Sequence, residues 1–194
     1  MELDTPHGPA RVHLHAVDGA RAALVLGHGA GGGVGARDLQ AATEEAVALG
    51  ITVALVEQPY RVAGRRSPAP AHHLDAAWIA VVGQLAFGDV KLLVGGRSSG
   101  ARVACRTAAE TGAAGVLCLA FPVHAPGKPE KTRLPELAAV RVPVLVVQGE
   151  SDPFGMPPPA RRRKVVVLKG NHSLSSDMPG LRKAVRAWLR RVAR

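Results

Sequence analysis

The chain has 194 residues, 47% hydrophobic but only 3% aromatic, so it can bury a sizeable core packed mostly by Ala, Val, Leu and Gly. The net charge of +10 is spread over Arg61, Arg65, Arg66, Arg161, Arg162, Arg163 and the C-terminal segment, with no zinc-finger, helix-turn-helix or aromatic RNA-binding pattern, so no specific nucleic-acid partner is expected. No apolar run approaches the ~20 residues of a bilayer span, nothing reads as a signal peptide, and Cys105 and Cys118 sit in apolar segments as reduced core residues do, which points to a cytoplasmic protein with no membrane partner.

Residues 12–17 alternate in polarity like a half-buried edge strand. Continuous apolar runs come next at 22–26, 52–56, 91–94, 115–120, 144–147 and 165–168, the pattern of parallel strands covered on both faces. Helix-like stretches separate them at 38–49, 72–87, 99–111 and 181–192. In the last of these, Leu181, Val185, Trp188, Leu189 and Val192 keep the spacing of one apolar helical face. Segments 67–70 and 157–159 read as turns. The expectation is one α/β domain over 1–194, with an open, mostly parallel sheet of about seven strands and helices on both faces.

Ligands of such a sheet bind beyond the carboxyl ends of its strands, so function is sought in the residues just past each strand end. After the fourth comes Gly96-Arg97-Ser98-Ser99-Gly100, a G-x-S-x-G between strand and helix. That turn is sharp, and it lifts a serine hydroxyl above the sheet at a helix N-terminus. A serine needs a base to take its proton. Asp152 comes after the sixth strand and His172 after the seventh, giving the order Ser, acid, His. His172 is then the general base and Asp152 its orienting acid. Glu150 is the rival acid; Pro153, fixing a turn beyond the strand end, favours Asp152.

The second strand ends in "LVLGHGAGGG" (24–33), which reads two ways. Gly27, Gly29 and Gly32 fit the G-x-G-x-x-G spacing of a dinucleotide site, with Glu57 near the place of a ribose-binding acid. The same letters form an H-G-x-G-G oxyanion loop. A dinucleotide site leaves Ser98, Asp152 and His172 without a role, so the oxyanion reading is preferred. Its donors are the N–H of Ser99 and the N–H of Ala30, with Gly31 next. No cofactor is expected.

With these residues in place the chain resembles the α/β-hydrolase superfamily over nearly its full length. More narrowly it is similar to small hydrolases related to dienelactone hydrolases and to a hydrolase-like subunit of the NSL chromatin complex. "GHGAGG", "GGRSSGAR" and "FPVHAPGKPEKTR" carry this closer likeness, the last (121–133) most specifically. The resemblance implies a cap-less hydrolase fold with Ser98, Asp152 and His172 at its triad positions. Few residues precede Gly27, so the usual first hairpin of the sheet is reduced or missing.

His13 with His15, and His72-His73 with Asp75, look loosely metal-like, but no third ligand converges on either, and no metal is expected. Arg97, His124 and Lys128 are candidate substrate contacts at the pocket rim, with salt bridging for Arg97 and loop ordering for His124 and Lys128 as equal alternatives. The 121–143 segment is too short for a helical lid, which implies a small open pocket. The favoured function is a serine hydrolase acting on a small acyl ester or thioester. The alternative is a hydrolase-fold interaction module without significant activity.

Overall fold

Short runs rich in Val and Leu become strands, and the amphipathic stretches between them become helices. The computed structural model describes residues 1–125 and 127–194. In chain order its elements are β1 (Glu2–Leu3), β2 (Ala10–His15), β3 (Ala22–Gly27), α1 (Arg37–Val47), β4 (Ile51–Glu57), α2 (Pro59–Val62), α3 (Ala71–Gln84), β5 (Lys91–Arg97) and α4 (Ser99–Thr107), then β6 (Gly115–Leu119), β7 (His124–Ala125), β8 (Lys128–Thr132), α5 (Leu134–Ala138), β9 (Val144–Gly149), β10 (Arg163–Leu168) and α6 (Met178–Val192).

Eight strands form one sheet in the order β1-β2-β4-β3-β5-β6-β9-β10, while β7 and β8 pair as a separate hairpin. Neighbours from β4 to β10 are parallel. β2 runs antiparallel to β4, and β1 antiparallel to β2. The seven expected strands are present, and β1 is the eighth. It sets Glu2 opposite Arg11 and Leu3 opposite Ala10, so the first hairpin is reduced, not missing, and β2 is covered along part of its outer edge. Two residues hold no alternation from which a strand can be read.

Each face of the sheet has its own core. Within β3, Val25 packs with Trp78, Val94 and Phe121 on one face. Leu24 and Leu26 pack with Leu39, Leu117 and Leu181 on the other. Alternation of side chains across the pleat makes this split. Residues of α3 and α4 cover the first face and those of α1 and α6 the second. Leu181, Val185, Trp188 and Leu189 are buried as the helical periodicity requires. Strand order reverses between β3 and β5, since β4 lies to one side of β3 and β5 to the other. A crevice therefore opens at the carboxyl ends of these two strands.

Among the described residues, no helix is long and apolar enough to cross a membrane. Cys105 and Cys118 are buried free thiols with sulfurs 3.5 Å apart.

Candidate active site

β5 ends at Arg97 and α4 begins at Ser99, so the turn between them is the single residue Ser98, at φ 52° and ψ −107°. L residues rarely take this conformation, which costs about 1–3 kcal/mol and persists only where the surroundings impose it. Here the flanking glycines impose it by close approach. A Cβ on Gly96 would lie 2.4 Å from the carbonyl oxygen of Gly27, and one on Gly100 would lie 2.3 Å from the same atom. Gly27 closes β3, so both glycine motifs of the sequence are parts of one backbone contact. Ser98 N–H donates to Leu119 O (2.9 Å), which ties the turn to the end of β6.

Ser98 Oγ lies 2.9 Å from His172 Nε2, and His172 Nδ1 lies 2.8 Å from Asp152 Oδ2. The Asp152 side chain is fully buried. Its Oδ1 accepts the N–H of Phe154 (2.9 Å), and its Oδ2 also accepts from Gln148 Nε2 (2.8 Å). With Oδ2 held as acceptor, His172 keeps its proton on Nδ1 and turns a bare Nε2 to the Ser98 hydroxyl. Phe154 stands edge-on to the imidazole, with ring centres 4.5 Å apart. Glu150 is exposed, and its N–H donates to Leu168 O along the sheet. The acid that meets His172 is Asp152.

Gln148 is a residue that motif and spacing do not single out. It is wholly buried near the end of β9, and its amide also donates to Phe121 O (3.0 Å) and Gly155 O (2.9 Å). A glutamine inside the run Val-Leu-Val-Val-Gln-Gly was the available signal, because a polar side chain in a fully buried strand needs partners.

The loop after β3 is fixed from behind. His28 is buried, and its Nε2 accepts the N–H of Gln58 (3.1 Å). Nδ1 therefore carries the proton and donates to Gly29 O (2.8 Å). Burial holds this imidazole below its ordinary pKa, so it stays neutral. Tyr60 Oη donates to Ala30 O (2.9 Å), and burial pushes the phenol up to about 12. With its carbonyls engaged, the loop leaves N–H groups of Ala30 and Gly31 with no acceptor among the described residues. Ser99 N–H, first in α4, is free in the same way. Donors of this kind at a helix N-terminus stabilise negative charge.

Ser98, His172, Ala30, Gly31 and Ser99 all line one open cavity of about 410 Å³. Its walls add Phe154, Pro68, Pro122 and three arginines, Arg97, Arg102 and Arg133. Arg97 Nε sits 2.9 Å from the buried Asp38 Oδ2, and Arg97 also donates to His172 O (3.1 Å). Burial pushes the Asp38 carboxyl up, and the Arg97 charge opposes that push. His124 and Lys128 are not in the lining: His124 turns Nδ1 to Ala125 O, as the loop-ordering alternative has it, and Lys128 is exposed on β8. The arginines that replace them, Arg102 and Arg133, were missed because their positions depend on how the 121–143 segment folds back.

Other sequence candidates fall elsewhere. Glu57, at the end of β4, faces His13 (3.3 Å) and Arg11 (3.7 Å) on the neighbouring β2. His73 stacks on His7 and meets His72 edge-on. Among the described residues, no three His, Cys, Asp or Glu side chains gather as metal ligands would.

Comparison with known proteins gives the same architecture. No curated protein matches the chain in sequence. Solved structures match at low identity, which speaks to the fold. A lidless serine hydrolase from Xanthomonas campestris superposes with a TM-score of 0.80 at 21% identity, over 98% of this chain and 93% of that one. The ferulic acid complex of Est1E from Butyrivibrio proteoclasticus gives 0.80 at 15%, over 99% and 98%. A dienelactone hydrolase from Anabaena variabilis gives 0.76 at 15%, over 100% and 97%. The family model for the alpha/beta hydrolase domain matches residues 20–189. That span runs from the start of β3 to the last turns of α6 and holds the whole cavity, so the chain belongs to the α/β-hydrolase family, as a member without a cap.

Proposed function

We propose that this protein is a serine hydrolase that cleaves a small acyl ester or thioester through an acyl-Ser98 intermediate. One observation carries the reading: the unbroken hydrogen-bonded line Ser98–His172–Asp152 on an open cavity, beside unsatisfied backbone donors. Ser98 Oγ attacks the substrate carbonyl carbon while His172 Nε2 takes the hydroxyl proton. The resulting oxyanion is received by the N–H groups of Ser99 and Ala30, with Gly31 adjacent. Collapse expels the alcohol or thiol, which takes its proton from His172. Water then attacks the acyl carbon, His172 removes its proton, and the acid leaves with Ser98 restored. Asp152 keeps the imidazole in the required tautomer throughout.

The strained backbone at Ser98 fits this use, because it holds the hydroxyl clear of α4. The open cavity suits short acyl groups over long lipids. A fluorophosphonate probe should label Ser98 and not Ser99, and Ser98→Ala should abolish labelling and ester turnover together. His172→Ala should cost nearly as much as losing the serine. Asp152→Asn should lower kcat on the order of 10⁴-fold. Folded protein that takes no label, or His172→Ala that labels at the wild-type rate, would overturn the reading. A series of p-nitrophenyl esters of graded chain length would define the acyl group.

A further inference from the structure

The three arginines on the cavity differ in what they are bound to. Arg97 lies against Asp38. Arg102 grips Glu136 with two nitrogens, at 2.8 and 2.5 Å. Glu136 is shared with Arg106, which in turn holds Asp75 at 2.8 and 2.6 Å. Arg97, Arg102 and Arg106 are thus all paired with carboxylates: Asp38 for Arg97, Glu136 for Arg102, and Asp75 with Glu136 for Arg106. Arg133 has none among the described residues. One of its nitrogens donates to His124 O (3.2 Å), leaving most of its five N–H donors uncommitted. Its backbone is fixed, with the N–H given to Val123 O (2.6 Å). Burial, and then the positive charge of Arg102, push its guanidinium below the ordinary value. An anion beside it would relieve both effects.

We infer that Arg133 is the anion-recognition residue of this site, and that the substrate is an ester or thioester bearing a carboxylate or phosphate-type group. This rests on the acyl-transfer reading of Ser98. A planar fork of donors suits carboxylate and phosphate oxygens, which accept two parallel hydrogen bonds. Arg133 lines the same cavity as Ser98 and is anchored through main-chain contacts, so it fixes which end of a short substrate enters first. Arg102, already paired with Glu136, does not compete for the anion.

The test compares three isosteric substrates: p-nitrophenyl hexanoate (neutral), mono-p-nitrophenyl adipate (carboxylate) and p-nitrophenyl phosphonovalerate (phosphonate). The wild type should favour one charged ester over the neutral one in kcat/KM, and the better of the two identifies the anion. Arg133→Gln should reduce that charged-to-neutral ratio by about 10- to 100-fold, the worth of a hydrogen-bonded charge pair. Arg133→Lys, with charge but no fork, should recover only part of it. Arg161→Gln removes a surface arginine outside the cavity lining and should leave the ratio alone, which separates recognition from general attraction. Equal wild-type rates for charged and neutral esters, or a ratio unmoved by Arg133→Gln, would overturn the inference while leaving the hydrolase reading intact. If no ester is cleaved and no probe labels Ser98, the hydrolase reading fails instead. Calorimetry of free adipate and of phosphonovalerate with the Ser98→Ala protein still decides the anion site. Binding that disappears on adding Arg133→Gln upholds it, and no binding of either ligand ends it.

Discussion

His28 offers a direct check on how the loop after β3 is held. Its Nε2 must stay bare to accept the N–H of Gln58, and burial holds its pKa below the ordinary 6.5. In the unfolded chain the same imidazole takes a proton near its ordinary value, so below that pH the unfolded state binds one proton more than the native state. Stability from this group is therefore complete above about pH 6.5 and is lost as pH falls, by up to about 1.4 kcal/mol per pH unit, until the native value is passed. Protonation would also set two donors against each other, Nε2–H against Gln58 N–H, and free the loop end that carries Gly29 and Ala30. His28→Gln removes the titration. It should cost about 1–3 kcal/mol at neutral pH, because the side chain cannot reproduce both bonds in a buried place. The assay is urea unfolding of both proteins from about pH 5 to about pH 8, with the difference in slope read against pH. Other titrating groups are common to the two and cancel. Parallel stability–pH curves would refute the argument.

Single contacts set further outcomes. Gln148→Leu leaves Phe121 O and Gly155 O without this donor and takes one from Asp152, so it should cost about 2–5 kcal/mol in urea unfolding and lower kcat more than it raises KM. Wild-type kcat in a folded Gln148→Leu would show that Asp152 does not depend on it. Gly100→Ala places a Cβ 2.3 Å from the backbone oxygen of Gly27, which has no flexible end to give way, and should lose about 3 kcal/mol or fail to fold; an unchanged Tm would contradict the close approach. Tyr60→Phe removes the bond to Ala30 O and should cost about 1 kcal/mol with up to a tenfold fall in kcat. Equal kcat in the two proteins would mean that the loop is set without the phenol.

What the sequence made legible is what local pattern controls. Apolar runs located six of the eight sheet strands, because parallel strands covered on both faces are rich in unbroken Val and Leu, and alternation located β2. The residues Ser98, Asp152 and His172 were legible from chain order, since each comes just after a strand and the sheet brings strand ends together. The second acid also resolved for a physical reason. Asp152 N–H closes a turn onto Gly149 O, which carries the side chain off the sheet, while Glu150 remains in register with β10 through Leu168. By contrast, β1 and β7 are two residues long each and hold no period. Gln148, His28 and Tyr60 support the site through long-range hydrogen bonds, and no spacing rule connects Gln148 with Phe121 or Tyr60 with Ala30.

The stretch from Phe121 to Arg133 shows why a distinctive sequence can be noticed before its purpose is visible. Read along the chain, its obvious polar residues are His124 and Lys128, and both are of a kind that suits a pocket rim. The fold makes β7 and β8 pair, with His124 opposite Thr132, and so turns the stretch back on itself. That return exposes Lys128 and spends His124 on local bonds, one from its ring to Ala125 O and one from Arg133 to its own carbonyl. The residue delivered to the cavity is the last one, Arg133, held through its N–H to Val123 O at the other end of the same stretch. Gly127, at φ 65°, takes the left-handed conformation that suits a reversal of direction over few residues. The hairpin is thus a bracket for one guanidinium: altering its length should move Arg133 and change substrate preference, whereas replacing Lys128, exposed at the start of β8, should not. A two-residue deletion between β7 and β8 that left the charged-to-neutral ester ratio at the wild-type value would show that the bracket has no such role.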